Sequence, residues 1–65
     1  MFENKQSWYV LVEGKNQNDY EDEIVPSLNA ALKRAKKSAS PYVRVDKWTG
    51  EDFDGDYTAT VYEKK

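Results

Sequence analysis

The stretch that decides the fold is 26–48, "PSLNAALKRAKKSASPYVRVDKW". Its hydrophobic period changes midway. Leu28, Ala31, Leu32, Ala35 and Ala39 recur at helical spacing and form one narrow apolar stripe. Ser27 can cap the start, its oxygen accepting from a backbone N–H two or three residues on. The residue before Pro41 is biased away from helical geometry, so the spacing predicts a helix over 28–39. Past the proline the period drops to two. Val43 and Val45 fall on one face and Tyr42, Arg44, Asp46 and Trp48 on the other, which predicts a strand over 42–48.

Outward from this core, "SWYVLVE" (7–13) is dense in β-formers and predicts a strand, and "GKNQND" (14–19) predicts a loop. "YEDEIV" (20–25) fits a short edge strand pairing back on the first, or an acidic loop. "TGEDFDGD" (49–56) carries two glycines and a run of acids and predicts a loop. "YTATVYE" (57–63) alternates again, Tyr57, Ala59 and Val61 against Thr58, Thr60 and Tyr62. The expected fold is α+β, one helix packed on a small three- to four-stranded, mainly antiparallel sheet in the order β–(β)–α–β–β. It forms a single domain, 1–65, with a flexible N-terminus over 1–6. One helix covers one face of a sheet. With the valines turned toward it, Tyr9, Leu11, Tyr42, Arg44, Trp48, Thr58, Thr60 and Tyr62 are expected to face outward.

Composition narrows the chemistry. The 65 residues include no cysteine and no histidine, so there is no disulfide framework, no thiolate metal site and no imidazole base or ligand. No cofactor or metal is expected. The longest apolar run, Trp8 to Val12, falls far short of the roughly 20 residues of a membrane helix. "MFENKQS" lacks the pattern of a signal peptide. An intracellular protein is expected, without a membrane role and, since it begins at Met1 and fits one domain, a complete small gene product. No nucleophile elbow, phosphate loop or dinucleotide fingerprint occurs, and a chain this short has little room for a buried site. A non-enzymatic protein is the expectation.

The net charge of −2 conceals a segregation. Residues 1–32 hold six acids and two bases, giving −4; residues 33–47 hold six bases and one acid, giving +5; residues 48–65 hold five acids and two bases, giving −3. Three surfaces follow. Lys33, Arg34, Lys36 and Lys37 cover the side of the helix away from its apolar stripe, which is what any solvated amphipathic helix shows. Basic residues in the last turns also suit the helix dipole. With Arg44 they could instead grip phosphates, although a groove-binding domain is ordinarily far more basic than this pI of 5.0. The outward face, with Tyr9, Tyr42, Arg44, Trp48 and Tyr62, has the residue types of protein-interface hot spots and is the preferred partner-binding surface, a homodimer being one way to cover it. The acids Asp19, Glu21, Asp22 and Glu23, and Asp52, Asp54 and Asp56, make two loops that together could imitate a phosphate backbone. Asp52, Asp54, Asp56 and Glu63 also stand at positions 1, 3, 5 and 12 of a calcium loop, but Tyr57 occupies the obligatory glycine position and no helix flanks the segment.

"SWYVLVE", an acidic connection, "SLNAALKRA" with its S-L-x-x-A-L-x-x-A spacing, and "YVRV" together cover about residues 7–45. In this order of parts the chain resembles small phage-encoded proteins that seize or disarm host machinery, among them the host RNA polymerase inhibitors of T7-type phages and small anti-CRISPR proteins. The resemblance implies a protein of the host cytoplasm that occludes a surface of a larger host complex. In the polymerase inhibitors, arginines on the strand after the helix contact the partner, and Arg44 holds that position here. The basic helix and the additional hairpin over 46–63 depart from that pattern. The alternatives are a small nucleic-acid-binding protein using Lys33, Lys36, Lys37 and Arg44, and a homodimeric accessory protein.

Overall fold

A computed structural model describes residues 6–51 and 54–64. The elements are β1 (Gln6–Asn16), β2 (Asp19–Val25), α1 (Leu28–Lys37), β3 (Tyr42–Glu51) and β4 (Asp54–Glu63). The strands form one four-stranded sheet in the order β2-β1-β3-β4, every neighbouring pair antiparallel. The α+β class and the order of elements are as the sequence predicts.

The helix begins where its cap requires. Ser27 is extended, and its hydroxyl accepts from the Ala30 amide at 3.4 Å. Ala31 and Ala35 of the apolar stripe are fully buried, and small side chains there let the helix lie close on the sheet. They meet Leu11, Val25, Val43 and Val45, with Tyr9 and Tyr62 packed at the margin. The helix ends at Lys37, two residues earlier than its apolar spacing predicts. Ser38 turns extended, gives its backbone N–H to the Ala35 carbonyl, and donates its hydroxyl to Glu13 of β1. Leaving the helix there provides Glu13 with a partner, and Ala39 lies exposed outside the stripe. Lys64, after β4, ties down the same corner by donating to the Ser38 and Ser40 carbonyls.

Three expectations about loops change. The acidic segment left open between strand and loop is a strand, Asp19–Val25, pairing in continuous register from Tyr9↔Val25 to Gly14↔Tyr20. The loop expected over 14–19 contracts to a turn at 17–18, where the Asn16 side chain accepts from the Asn18 amide at 2.8 Å. The loop expected over 49–56 is mostly strand. Gly50 and Gly55, which read as loop residues, face each other across β3 and β4. A Cβ on Gly50 would fall on the Gly55 Cα and the Asp54 carbonyl, and one on Gly55 would fall on the Gly50 Cα and the Thr49 carbonyl. Both glycines are required by close approach of two backbones. The flexible N-terminus expected over 1–6 falls outside the described residues, apart from Gln6, which opens β1.

Lengths set the architecture. A ten-residue helix is about 15 Å long, whereas strands of ten or eleven residues reach about 35 Å. One helix therefore covers less than half of one face. The Gly50–Gly55 end of the sheet extends beyond it, and the opposite face has no helix among the described residues.

Gly50→Ala is expected to lower the stability by about 1–3 kcal/mol, the usual cost of overpacking. Thermal unfolding by circular dichroism should show it as a drop of several degrees, and an unchanged midpoint would mean that the two backbones do not meet here.

Candidate interaction surface

Strand alternation fixes which side chains share the face opposite α1. Across the strands, from one end, stand Tyr20, Gly14 and Tyr42; then Asp22, Val12 and Arg44; then Ile24, Val10, Asp46 and Thr60; then Trp8, Trp48 and Tyr57; and finally Gly50 and Gly55. Although no helix lies on it, this face buries Trp8 (3% exposed), Val12 and Asp46 (5%). It closes over itself.

Polar side chains accomplish much of that closure. The Arg44 guanidinium lies along β3 over the Tyr42 ring, 5.8 Å from its centroid, and donates to the Tyr42 hydroxyl at 2.6 Å. Its Nε donates to Asp46 Oδ2 at 3.0 Å. The Thr60 hydroxyl donates to Asp46 Oδ1 at 2.8 Å, and Tyr57 Oη shares a 2.8 Å hydrogen bond with Thr60. Each oxygen of the buried carboxylate thus has a donor, as a charge out of water requires. Trp48 stands edge-on to Tyr57, ring centroids 6.2 Å apart, directly across from Trp8. Its indole nitrogen is buried without a hydrogen-bond partner among the described residues.

Of the five residues expected to form the partner-binding face, Tyr42, Arg44 and Trp48 are together on it. Tyr9 and Tyr62 are not. Both pack against the core beneath α1, as does Leu11. Two features of the chain explain this. "WYVLV" is apolar on both faces, so its phase is invisible to periodicity. β4 is bulged twice, its partners skipping from Tyr62 to Thr60 and from Ala59 to Tyr57, and each bulge reverses the alternation. Thr60 and Tyr57 consequently share the open face, while Tyr62, opposite Val45, turns to the helix. The residues that strict alternation missed, Trp8, Val10 and Ile24, line a groove of about 530 Å³ with Trp48, bordered by Asp22, Glu23, Asp54 and Gly55. Ile24 is 47% exposed.

The basic island divides. Arg34 holds Glu23 of β2 through two bonds, 2.6 and 2.8 Å, and Arg44 holds Asp46. Lys33, Lys36 and Lys37 are exposed on the helix and have no ion pair among the described residues. The acids divide the other way. Asp19, Glu21 and Asp22 on β2, and Asp54 and Asp56 on β4, are exposed and unpaired among the described residues. These acids stand on strands instead of in the loops expected of them, and Asp52 lies outside the described residues. No helix among the described residues is long and apolar enough to cross a membrane. No family model, no curated protein and no solved structure matches the chain, so the functional reading rests on this geometry.

The Arg34 hydrogen bonds hold the Glu23 carboxyl below its ordinary value of 4.5, and its charge adds to them. A depressed carboxylate contributes stability above its unfolded value and loses it as pH falls through the folded one. A side-chain carbon NMR titration should therefore place the Glu23 midpoint below 4.5, and Arg34→Gln should return it toward that value. A midpoint indifferent to the substitution would show that the pair does not persist in solution.

Proposed function

We propose that the chain is a non-enzymatic, stoichiometric binding protein, a phage or mobile-element inhibitor that works in the host cytoplasm by occluding a surface of a nucleic-acid-handling protein complex. The observation that carries this reading is the pairing state of the charges. Both arginines of the basic island already hold carboxylates, which removes two of the groups a phosphate grip would use. Asp19, Glu21 and Asp22 of β2, and Asp54 and Asp56 of β4, stand in water without cations among the described residues. A surface of that kind complements a cationic protein, and proteins that handle nucleic acids carry cationic clefts. Like-signed edges also discourage a second copy of the chain, since two β2 strands laid side by side would set acids against acids.

In this reading Arg44 does not take the role that the phage-inhibitor resemblance gives its position. Its charge is spent on Asp46, so contact with the partner falls to the acidic strands and the groove between them. Lys33, Lys36 and Lys37 lie on the far side of the molecule, where they serve as the wetted face of α1.

The test uses the two host machines that the resemblance singles out, a bacterial RNA polymerase and a CRISPR effector complex. An equimolar amount of the chain is expected to abolish nucleic-acid binding by one of them in a gel-shift assay. The labelled chain itself should give no NMR response to a DNA duplex or single strand. Shifts clustered at Lys33–Lys37 that fade as salt rises would make nucleic acid the ligand and overturn the reading.

A further inference from the structure

We infer that β2 is a docking edge for an extended, lysine- or arginine-bearing segment of a protein partner, with one apolar side chain of that segment seated in the groove of Trp8, Val10, Ile24 and Trp48. The inference rests on the protein-binding reading above and specifies where and how the partner is held.

The backbone supplies the first argument. β2 and β4 are the two edges of the sheet. Exposed edges invite pairing with another chain, and proteins blunt them with charged side chains, lysine above all, with proline or with bulges. β4 is blunted by two bulges, at Thr58 and Val61. β2 has none from Tyr20 to Val25, and no proline or basic residue interrupts its seven positions. Its outward amides and carbonyls are laid out in regular register for an added strand.

Charge supplies the second. Asp19, Glu21, Asp22 and Glu23 make β2 four-sevenths acidic, and among the described residues only Glu23 of these holds a cation. An added strand that placed acids or neutral residues alongside would leave that repulsion in place, whereas lysines or arginines would relieve it. The groove repeats the pattern: its lining among the described residues contains Asp22, Glu23 and Asp54 and no basic residue.

Apolar area supplies the third. Ile24 is nearly half exposed at the edge and continues directly into the groove floor of Val10, Trp8 and Trp48. Side chains of an added strand alternate between faces. One apolar residue beside Ile24 therefore enters the groove, and the next residue on that face, two positions along, meets Asp22. An apolar residue with a basic one two positions away, on the same face, is what this edge complements.

The probe is a synthetic seven-residue peptide, the length of β2, with a central phenylalanine, a lysine two positions to either side of it and threonine elsewhere; its control carries glutamate in place of lysine. In NMR titrations the lysine peptide is expected to shift the amides of Tyr20–Val25 and the indole signals of Trp8 and Trp48, and to slow hydrogen exchange along β2. The glutamate peptide should leave the spectrum unchanged. Asp22→Lys and Ile24→Glu alter exposed side chains and should keep the dispersed spectrum of the folded chain, each weakening the lysine peptide about tenfold, roughly 1.4 kcal/mol. Equal response to both peptides, shifts confined to α1 or β4, or no response would overturn the docking edge. The same variants separate this inference from the function it rests on. If both block the host complex as well as the unmodified chain does, the edge is wrong while inhibition stands; if both lose the block along with the peptide, the edge is the contact.

Discussion

A buried carboxylate governs the open side of this molecule. Asp46 is 5% exposed on a face that no helix covers, and a charge in that position is tolerable only with its hydrogen-bonding capacity filled. Arg44 and Thr60 fill it. The arginine that reaches Asp46 also lies across Tyr42, and the threonine that reaches it also engages Tyr57. One carboxylate therefore fixes four side chains from two strands. The sheet substitutes this ladder, together with the opposed tryptophans, for the second layer that a chain of 65 residues does not supply.

That arrangement decides what is left for binding. A basic residue committed to a buried acid is structural, and so is one clamped by its two terminal guanidinium nitrogens to Glu23. With its arginines used internally, the basic segment becomes a helix whose outer lysines face water. Among the described residues the unpaired carboxylates gather on β2 and at the β3–β4 end, around an apolar groove, while the unpaired lysines Lys33, Lys36 and Lys37 stand apart on α1. On the proposed reading the chain is drawn to cationic protein surfaces, and the sheet edge makes that attraction directional.

Most of the fold was legible because its signals were periodic and local. The stripe from Leu28 to Ala35, the Ser27 cap and the Val43–Val45 alternation each specify an element without reference to the rest of the chain. The candidate site was less legible, for three reasons. "WYVLV" carries apolar residues on both faces, so only the neighbouring strands determine that Leu11 turns to the helix and Val10 to the groove. The bulges in β4 reverse its alternation twice, which no single-strand pattern reveals. Gly50 and Gly55 carry the composition of a loop, yet their reason for being glycine is cross-strand contact. The island of positive charge was visible at once, but whether Arg34 and Arg44 were free depended on Glu23 and Asp46 coming within reach through tertiary structure.

The most direct measurement is a double-mutant cycle on stability with Arg44→Ala, Asp46→Ala and the double substitution, followed by urea unfolding. If the pair closes the open face, the two changes should be coupled by about 1–3 kcal/mol, with Arg44→Ala alone costly because it strands a buried carboxylate. A coupling near zero, with Arg44→Ala as stable as the unmodified chain, would contradict the pairing. Arg44 would then be available to a ligand, and the basic segment would regain its claim on phosphate.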